Sequence, residues 1–489
     1  MIHKIFFKYW RALLAISVFV FLSIMAFHDY DRFPYEGHLE EQSFAWEGFS
    51  LLKDNRPVSW SHFDYPKDNK VFTGPIGEEG GLQLQVTLVD PYFDHPPLYG
   101  LLSGLGPYLA GYEKISVFPT HLIRIPSVFA LVLTYLAIFF LAKRLFGYWT
   151  AIFSTLYFGL TPIFVFGGRL AVPEVIFGLF FVVMMILWIK FKEDKKILWI
   201  FLIGVLSGIS GLMKITGFSL VLLFIFFLIK DKKYKLILYL LLIEAAFILL
   251  LYLYGASFDK NLFFQIIQRQ GFRPVGWSAL TYIFSSPGYD IFNYFDGWFV
   301  FSLISSVILA FTNKRGQYSN YLLWGTFFWL AVVIFTSGQQ DMLPWYRYPM
   351  YPYLAINAVW VLQLIYKNPG FFRYILVPGM LLSSRYYLRN AFRPDILPAA
   401  FRSIFLLFMV PILVLEAKII KKEIIMQLVR IVLVLIIFWG AYYNAKLIYS
   451  VYSINCENLF PACYIGQGNI LSRIQLPIFW RFLINYPLE

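Results

Sequence analysis

The sequence predicts an all-α polytopic membrane protein of about 13 transmembrane helices, with a large first extracytoplasmic loop carrying interfacial helices. Three observations carry this. Of 489 residues, 59% are apolar and 14% are charged, against roughly 25% charged in a soluble domain, and mean hydropathy is +0.65. The apolar residues fall in runs of roughly 17–25, the length that crosses a bilayer. Short basic clusters (KRLFG, KFKEDKK, KDKKYK, NKRGQ, KIIKKE) separate them, as expected of cytoplasmic loops. The longest polar interval, residues 28–97, follows the first apolar run and holds thirteen of the 28 acidic residues.

The chain begins MIHKIFFKYWRALLAISVFVFLSIMAF, basic and then apolar, without a small-x-small cleavage pattern. The first span, about 11–27, therefore reads as an uncleaved anchor with its N-terminus inside. The acidic loop, about 28–123, comes next. Within it, HLEEQSFAWEGFSLLKDN carries an apolar stripe of Leu39, Phe44, Leu51 and Leu52 and is expected to lie on the membrane surface. Residues 98–111 are short and broken by Gly and Pro; they read as re-entrant, because the span 124–142 can then run inward to Lys143-Arg144. Further spans are expected at 149–166, 174–190, 197–213, 216–230 and 235–254, followed by a second outer loop at about 255–297. Spans at 298–312, 320–337, 349–366, 371–385, 401–418 and 424–443 complete the set. The chain thus divides into a transmembrane domain, 1–443, and a short extracytoplasmic tail, 444–489.

The net charge of +13 is accounted for by those basic clusters, so it signals membrane topology and anionic lipid rather than nucleic acid. No GxxxxGK[ST] phosphate loop is present, which argues against an ATP-driven pump. Cys456 and Cys463 are too few for a zinc site. They can form one disulfide if the tail faces an oxidising compartment.

The acids and isolated cations that could carry chemistry all fall on the predicted outer face. Glu40 and Glu41 are adjacent, so mutual repulsion holds one protonated more readily and suits it to general acid or base work. A solvated acidic surface explains them as well from spacing alone. Asp94 and His95 precede Pro96-Pro97, a rigid corner that can bind a metal, orient a base or simply start a helix. Arg169 and Glu174 bracket one outer helix end, where a mutual salt bridge competes with a functional role. Lys214 stands alone on the side that the charge rule depletes of lysine, with snorkelling as its plain explanation. Arg347, flanked by Tyr346, suits an interfacial anchor or an anionic group. Arg269 and Arg273 are further phosphate candidates.

Several stretches, in order, resemble integral-membrane GT-C glycosyltransferases of the protein O-mannosyltransferase and aminoarabinose-transferase branch. These are Glu40-Glu41 with Phe44-Ala45 and Leu51-Leu52; FDHPPLYGLL (93–102); RIPSVFALVLTYLAIFFLAKRLFG (124–147); TPIFVFGGRLAVPEV (161–175); GLMKITGF (211–218); and WYRYPMYPYLAI (345–356). The likeness is good over about 1–230 and fades beyond it. It implies a GT-C fold and inverting transfer of a sugar from a polyprenyl-phosphate donor to a protein, lipid or glycan acceptor at the extracytoplasmic side of the plasma (cell inner) membrane. It places Glu40, Glu41, Asp94 and Glu174 as catalytic acids. His95, Lys214, Arg347, Arg169, Tyr346 and Arg269 would bind the sugar or lipid phosphate. No cofactor is required, and a divalent metal at Asp94 and His95 would be an addition. Glu stands where the family has Asp at 40 and 174, and Glu36 is near enough to be the base in a shifted register.

The rival from another class is a lipid or sugar transporter or flippase without transfer chemistry. It would carry inverted repeats and interrupted helices, and no internal repeat is visible. A ligase-type outer-face transferase would keep the chemistry on another fold.

Overall fold

The computed structural model describes residues 2–34, 39–77, 83–273, 275–277, 296–312, 317–337, 344–382, 397–418 and 422–459. Glu36, Cys463, part of the expected second outer loop and most of the expected tail lie outside the described residues.

Helices follow the apolar runs, and prolines, glycines and buried caps set their ends. The first span lies in α1 (Ile2–Phe27), and the loop after it holds α2 (Leu39–Asp54), α3 (Pro97–Leu109) and α4 (Thr120–Ile123), with strands β1 (Ser59–Trp60), β2 (Lys70–Gly77) and β3 (Gln83–Val89). The strands form an antiparallel sheet in the order β1-β3-β2, pairing Ser59 with Val89 and Thr73 with Thr87. Next come α5 (Ile125–Phe146), α6 (Tyr148–Leu160), α7 (Pro162–Arg169), α8 (Pro173–Asp194), α9 (Ile197–Met213), α10 (Leu220–Lys230) and α11 (Tyr234–Gly271). The rest is α12 (Gly297–Phe311), α13 (Gln317–Thr336), α14 (Tyr351–Lys367), α15 (Phe371–Tyr374), α16 (Leu376–Leu382), α17 (Leu397–Glu416) and α18 (Lys422–Leu459). This is a multi-pass membrane architecture. Five helices are long and apolar enough to cross a bilayer, and the bent pair α6/α7 makes a sixth. Others of the thirteen expected spans fall on shorter apolar helices among the described residues, Ile197–Met213, Ile215–Lys230, Gly297–Phe311 and Asn320–Thr336.

Three local departures from the sequence reading follow. Residues 149–166 do not run straight: Pro162 lacks the amide that would continue α6, and the chain bends by 67° into α7. The buried carboxylate of Asp296 caps both sides of this region, accepting from Ile163 N (3.1 Å) at the start of α7 and from Trp298 N (2.9 Å) and Phe299 N (3.2 Å) at the start of α12. The expected span 371–385 is two short helices over its described part. Finally, α11 does not end near 254. It kinks at Asp259 (φ −154°, ψ 102°) and continues to Gly271, with Asp259 Oδ1 accepting from Leu262 N (3.0 Å) to cap the distal half.

That distal half lies over the first loop. Leu262, Phe263 and Ile266 are buried with Tyr65, Val89, Tyr92 and Phe93. The helix α2 was expected on the membrane surface, yet Glu40 to Ser50 are all buried. It is held between a small core under the sheet (Trp46, Phe49, Ile76, Val86, Leu88) and α3. A Cβ on Gly48 would stand 1.7 Å from Gly100 O, so the α2/α3 crossing needs bare backbone on both sides.

Candidate functional site

Five elements meet at a cavity of about 360 Å³ whose polar lining includes Asp94, His95, Glu174, Lys214, Arg273 and Tyr346. Ile215, Ile267, Trp329, Val333 and Phe335 form its apolar side. Each polar residue arrives at an element end. Glu174 lies in the first turn of α8, behind Pro173. Lys214 sits in extended geometry where α9 breaks into the short 3-10 turn Ile215–Ser219. Tyr346 comes from the 3-10 turn Pro344–Met350. Arg273 follows the distal half of α11.

Lys214 is the hub. Its Nζ stands 2.6 Å from Glu174 Oε1 and 3.6 Å from Glu40 Oε1, and 4.2 Å from the centre of the Tyr346 ring. Glu40, in the first turn of α2, is only 4% exposed, and its Oε1 is 4.0 Å from His95 Nε2. Burial pushes the Glu40 carboxyl above its usual range, against the pull of Lys214 and Arg273, so desolvation outweighs the neighbouring cations. His95 stacks on Phe44 at 4.7 Å. Burial, reinforced by Lys214 and Arg273, pushes its imidazole well down, leaving it neutral near pH 7.

Asp94 is held by donors. Ser61 Oγ lies 2.9 and 2.7 Å from its two oxygens, Tyr65 OH 3.1 Å and His62 N 3.2 Å away. Burial nevertheless pushes it up to about 6. Because protein donors already fill those oxygens, this pair does not fit a divalent metal. Among the described residues no three His, Cys, Asp or Glu side chains are grouped to hold one.

The other predicted residues are placed elsewhere. Glu41 turns away from the cavity: Arg124 Nε and Nη2 donate to it at 2.8 and 2.7 Å, and Ala171 N at 2.6 Å. Arg124 also donates to Tyr30 O and Pro34 O. Arg169 makes no ion pair with Glu174. It donates to Met25 O, Ala26 O and Phe33 O, satisfying the carbonyl end of α1. Arg347 is 1% exposed, with its guanidinium 5.6 Å from the centre of the Phe299 ring, and does not line the cavity. Arg269 points outward and donates to Asp64 O. One turn further on, Arg273 lines the cavity and lies over Phe63 at 5.0 Å. Sequence reasoning named Arg273 without choosing it; the signal was the helical continuation past 254 to Gly271, which sets Arg273 just beyond the helix end, against the cavity.

Residues 94–254 match the family described as Dolichyl-phosphate-mannose-protein mannosyltransferase. The crystal structure of ArnT from Cupriavidus metallidurans in the apo state superposes with a TM-score of 0.53 at 14% identity, covering 98% of this chain and 85% of that one. The same protein bound to undecaprenyl phosphate gives 0.52 at 14% identity, covering 93% and 81%. The fold is GT-C. No curated protein matches this chain in sequence. The GT-C likeness runs nearly end to end, while the family match begins at the Asp94 corner and ends in the proximal half of α11.

Proposed function

We propose that this protein is a glycosyltransferase that moves a sugar from a polyprenyl-phosphate donor to an acceptor at the extracytoplasmic face of the membrane, with inversion at the anomeric carbon. The observation that carries the reading is the convergence of Glu40, Glu174, Lys214, His95 and Arg273 where a polar wall meets an apolar one. A lipid-linked, anionic donor needs both walls. The GT-C relative bound to undecaprenyl phosphate adds support.

In this mechanism Glu40 accepts the proton of the acceptor hydroxyl or amine as its lone pair attacks the sugar C1. The C1–O bond to phosphate breaks on the opposite face, and its electron pair leaves on the phosphate. Arg273 meets that charge directly. Lys214, already bonded to Glu174, both orients Glu40 and adds positive charge. Its ammonium binds these two carboxylates before it binds any phosphate. His95, neutral, lines the sugar side, and Asp94, held by Ser61, His62 and Tyr65, adds negative charge there.

Purified protein in liposomes with labelled polyprenyl-phosphate sugars tests this. Label should leave the lipid for an acceptor with wild type and not with Glu40→Gln. If no donor is turned over, or if donor crosses the bilayer with its label retained, the transferase reading fails and a flippase takes its place.

A further inference from the structure

A second acid lies behind the cavity and has no part in the mechanism above. Glu47 is seven residues after Glu40, two turns along the same face of α2. It is 0% exposed, and neither side-chain oxygen has a hydrogen-bond partner. The helix crossing seals it in: a Cβ on Gly100 would lie 2.6 Å from Glu47 Oε2. The charged group facing it is Asp94, another acid. The remaining titratable neighbours are Tyr65 and Tyr92 from the first loop and Tyr254 from α11, and the Tyr254 hydroxyl is itself buried without a partner. An ionised carboxylate in such surroundings, with no cation and no donor, is the most costly arrangement available. Asp94 differs in every respect, with four donor contacts and an opening onto the cavity.

We propose that Glu47 is a positioning residue of this site: a sealed carboxylic acid that stays neutral, so that the single negative charge of the corner rests on Asp94. Burial and the nearness of Asp94 push the Glu47 carboxyl well above its usual range. An unpartnered buried carboxyl weakens the fold where a leucine would strengthen it, which is the pattern of a group retained for its effect on a site. Ionising Glu47 would place a second negative charge behind the wall that receives an anionic donor. This effect on the donor rests on the transferase reading; the charge state does not.

Infrared difference spectra of the full-length protein in nanodiscs test the charge state without any donor. At neutral pH, wild type minus Glu47→Gln should show the carbonyl stretch of a protonated carboxylic acid, and Asp94→Asn should retain that band. Absence of the band from the difference spectrum means Glu47 is ionised and overturns the proposal. In the transfer assay, the wild-type KM for donor should rise at alkaline pH, by up to about tenfold for each pH unit past the titration. In Glu47→Gln it should stay level with kcat unchanged. Superimposed KM profiles from equally stable proteins overturn the positioning role even where the band is present. If no donor turns over at all, the transferase reading falls and the infrared result stands by itself.

Discussion

Adjacent Glu40 and Glu41 should behave as different kinds of residue, and separating them tests the geometry most directly. Glu41 and Arg124 are 1% and 0% exposed at the side chain, and the pair is bidentate at 2.7 and 2.8 Å. Truncating Arg124 to alanine strands a buried carboxylate and frees Tyr30 O and Pro34 O. Breaking such a pair costs roughly 3–5 kcal/mol. For a long chain at the low end of the usual conversion, that is a drop of about 6–10 °C in apparent unfolding temperature. Glu41→Gln should lose a comparable amount, and the double variant less than the sum of the singles, because the partners remove one shared interaction. Glu40→Gln keeps the shape and removes a carboxyl whose charge burial already disfavours, so its unfolding temperature should hold while transfer falls about 10²–10⁴-fold. Fluorescence-detected size-exclusion after heating in detergent reads stability, and the liposome assay reads transfer. If Glu41→Gln were as stable as wild type yet inactive, or Glu40→Gln active, the division of roles drawn from Arg124 would be refuted.

Arg273→Ala should reduce kcat/KM about 10–100-fold through loss of a charge-assisted contact to phosphate, while Arg269→Ala, on the outward turn, should stay within about twofold; steady-state kinetics with a fixed donor compare them. Asp94, raised to about 6, binds its proton more tightly in the folded state than in the unfolded chain, where about 3.9 is usual. Its protonation therefore stabilises the fold below that window, and the contribution is lost as pH rises through about 6. Transfer that uses the Asp94 carboxylate should climb over the same range, and Asp94→Asn should flatten that limb. Chelator dialysis should leave transfer unchanged, because the Asp94 oxygens are already filled by Ser61, His62 and Tyr65; activity restored by a divalent cation would refute that account.

Much of the architecture was legible in the sequence, since the bilayer imposes run length, composition and basic flanks one segment at a time. The family resemblance also pointed to Glu40, Asp94, Glu174 and Lys214; the fold sets Lys214 beside Glu40 and Glu174 and Asp94 in the same cavity lining. What the linear pattern could not carry was pairing. Arg124 and Glu41 are 83 residues apart, and nothing local distinguishes Glu41, bound to it, from Glu40, turned toward Lys214. Arg169 looked like a site cation because it stands beside Glu174 in sequence, but the carbonyl end of α1 needed its donors more. Arg273 took the place of Arg269 because α11 continues past the expected boundary and stops at Gly271, so that the chain just beyond the helix end, not its last turn, meets the cavity. Glu47 attracted no notice among thirteen acids until two glycines let α3 close over it.

The sequence by itself therefore determined a polytopic helical chain and the order of its motifs, because the helices follow from local transfer of residues between water and lipid. Only the tertiary structure decided which carboxylates are bound in structural pairs and which face the cavity. That choice depends on desolvation and on distances between groups that the chain brings together only when it folds.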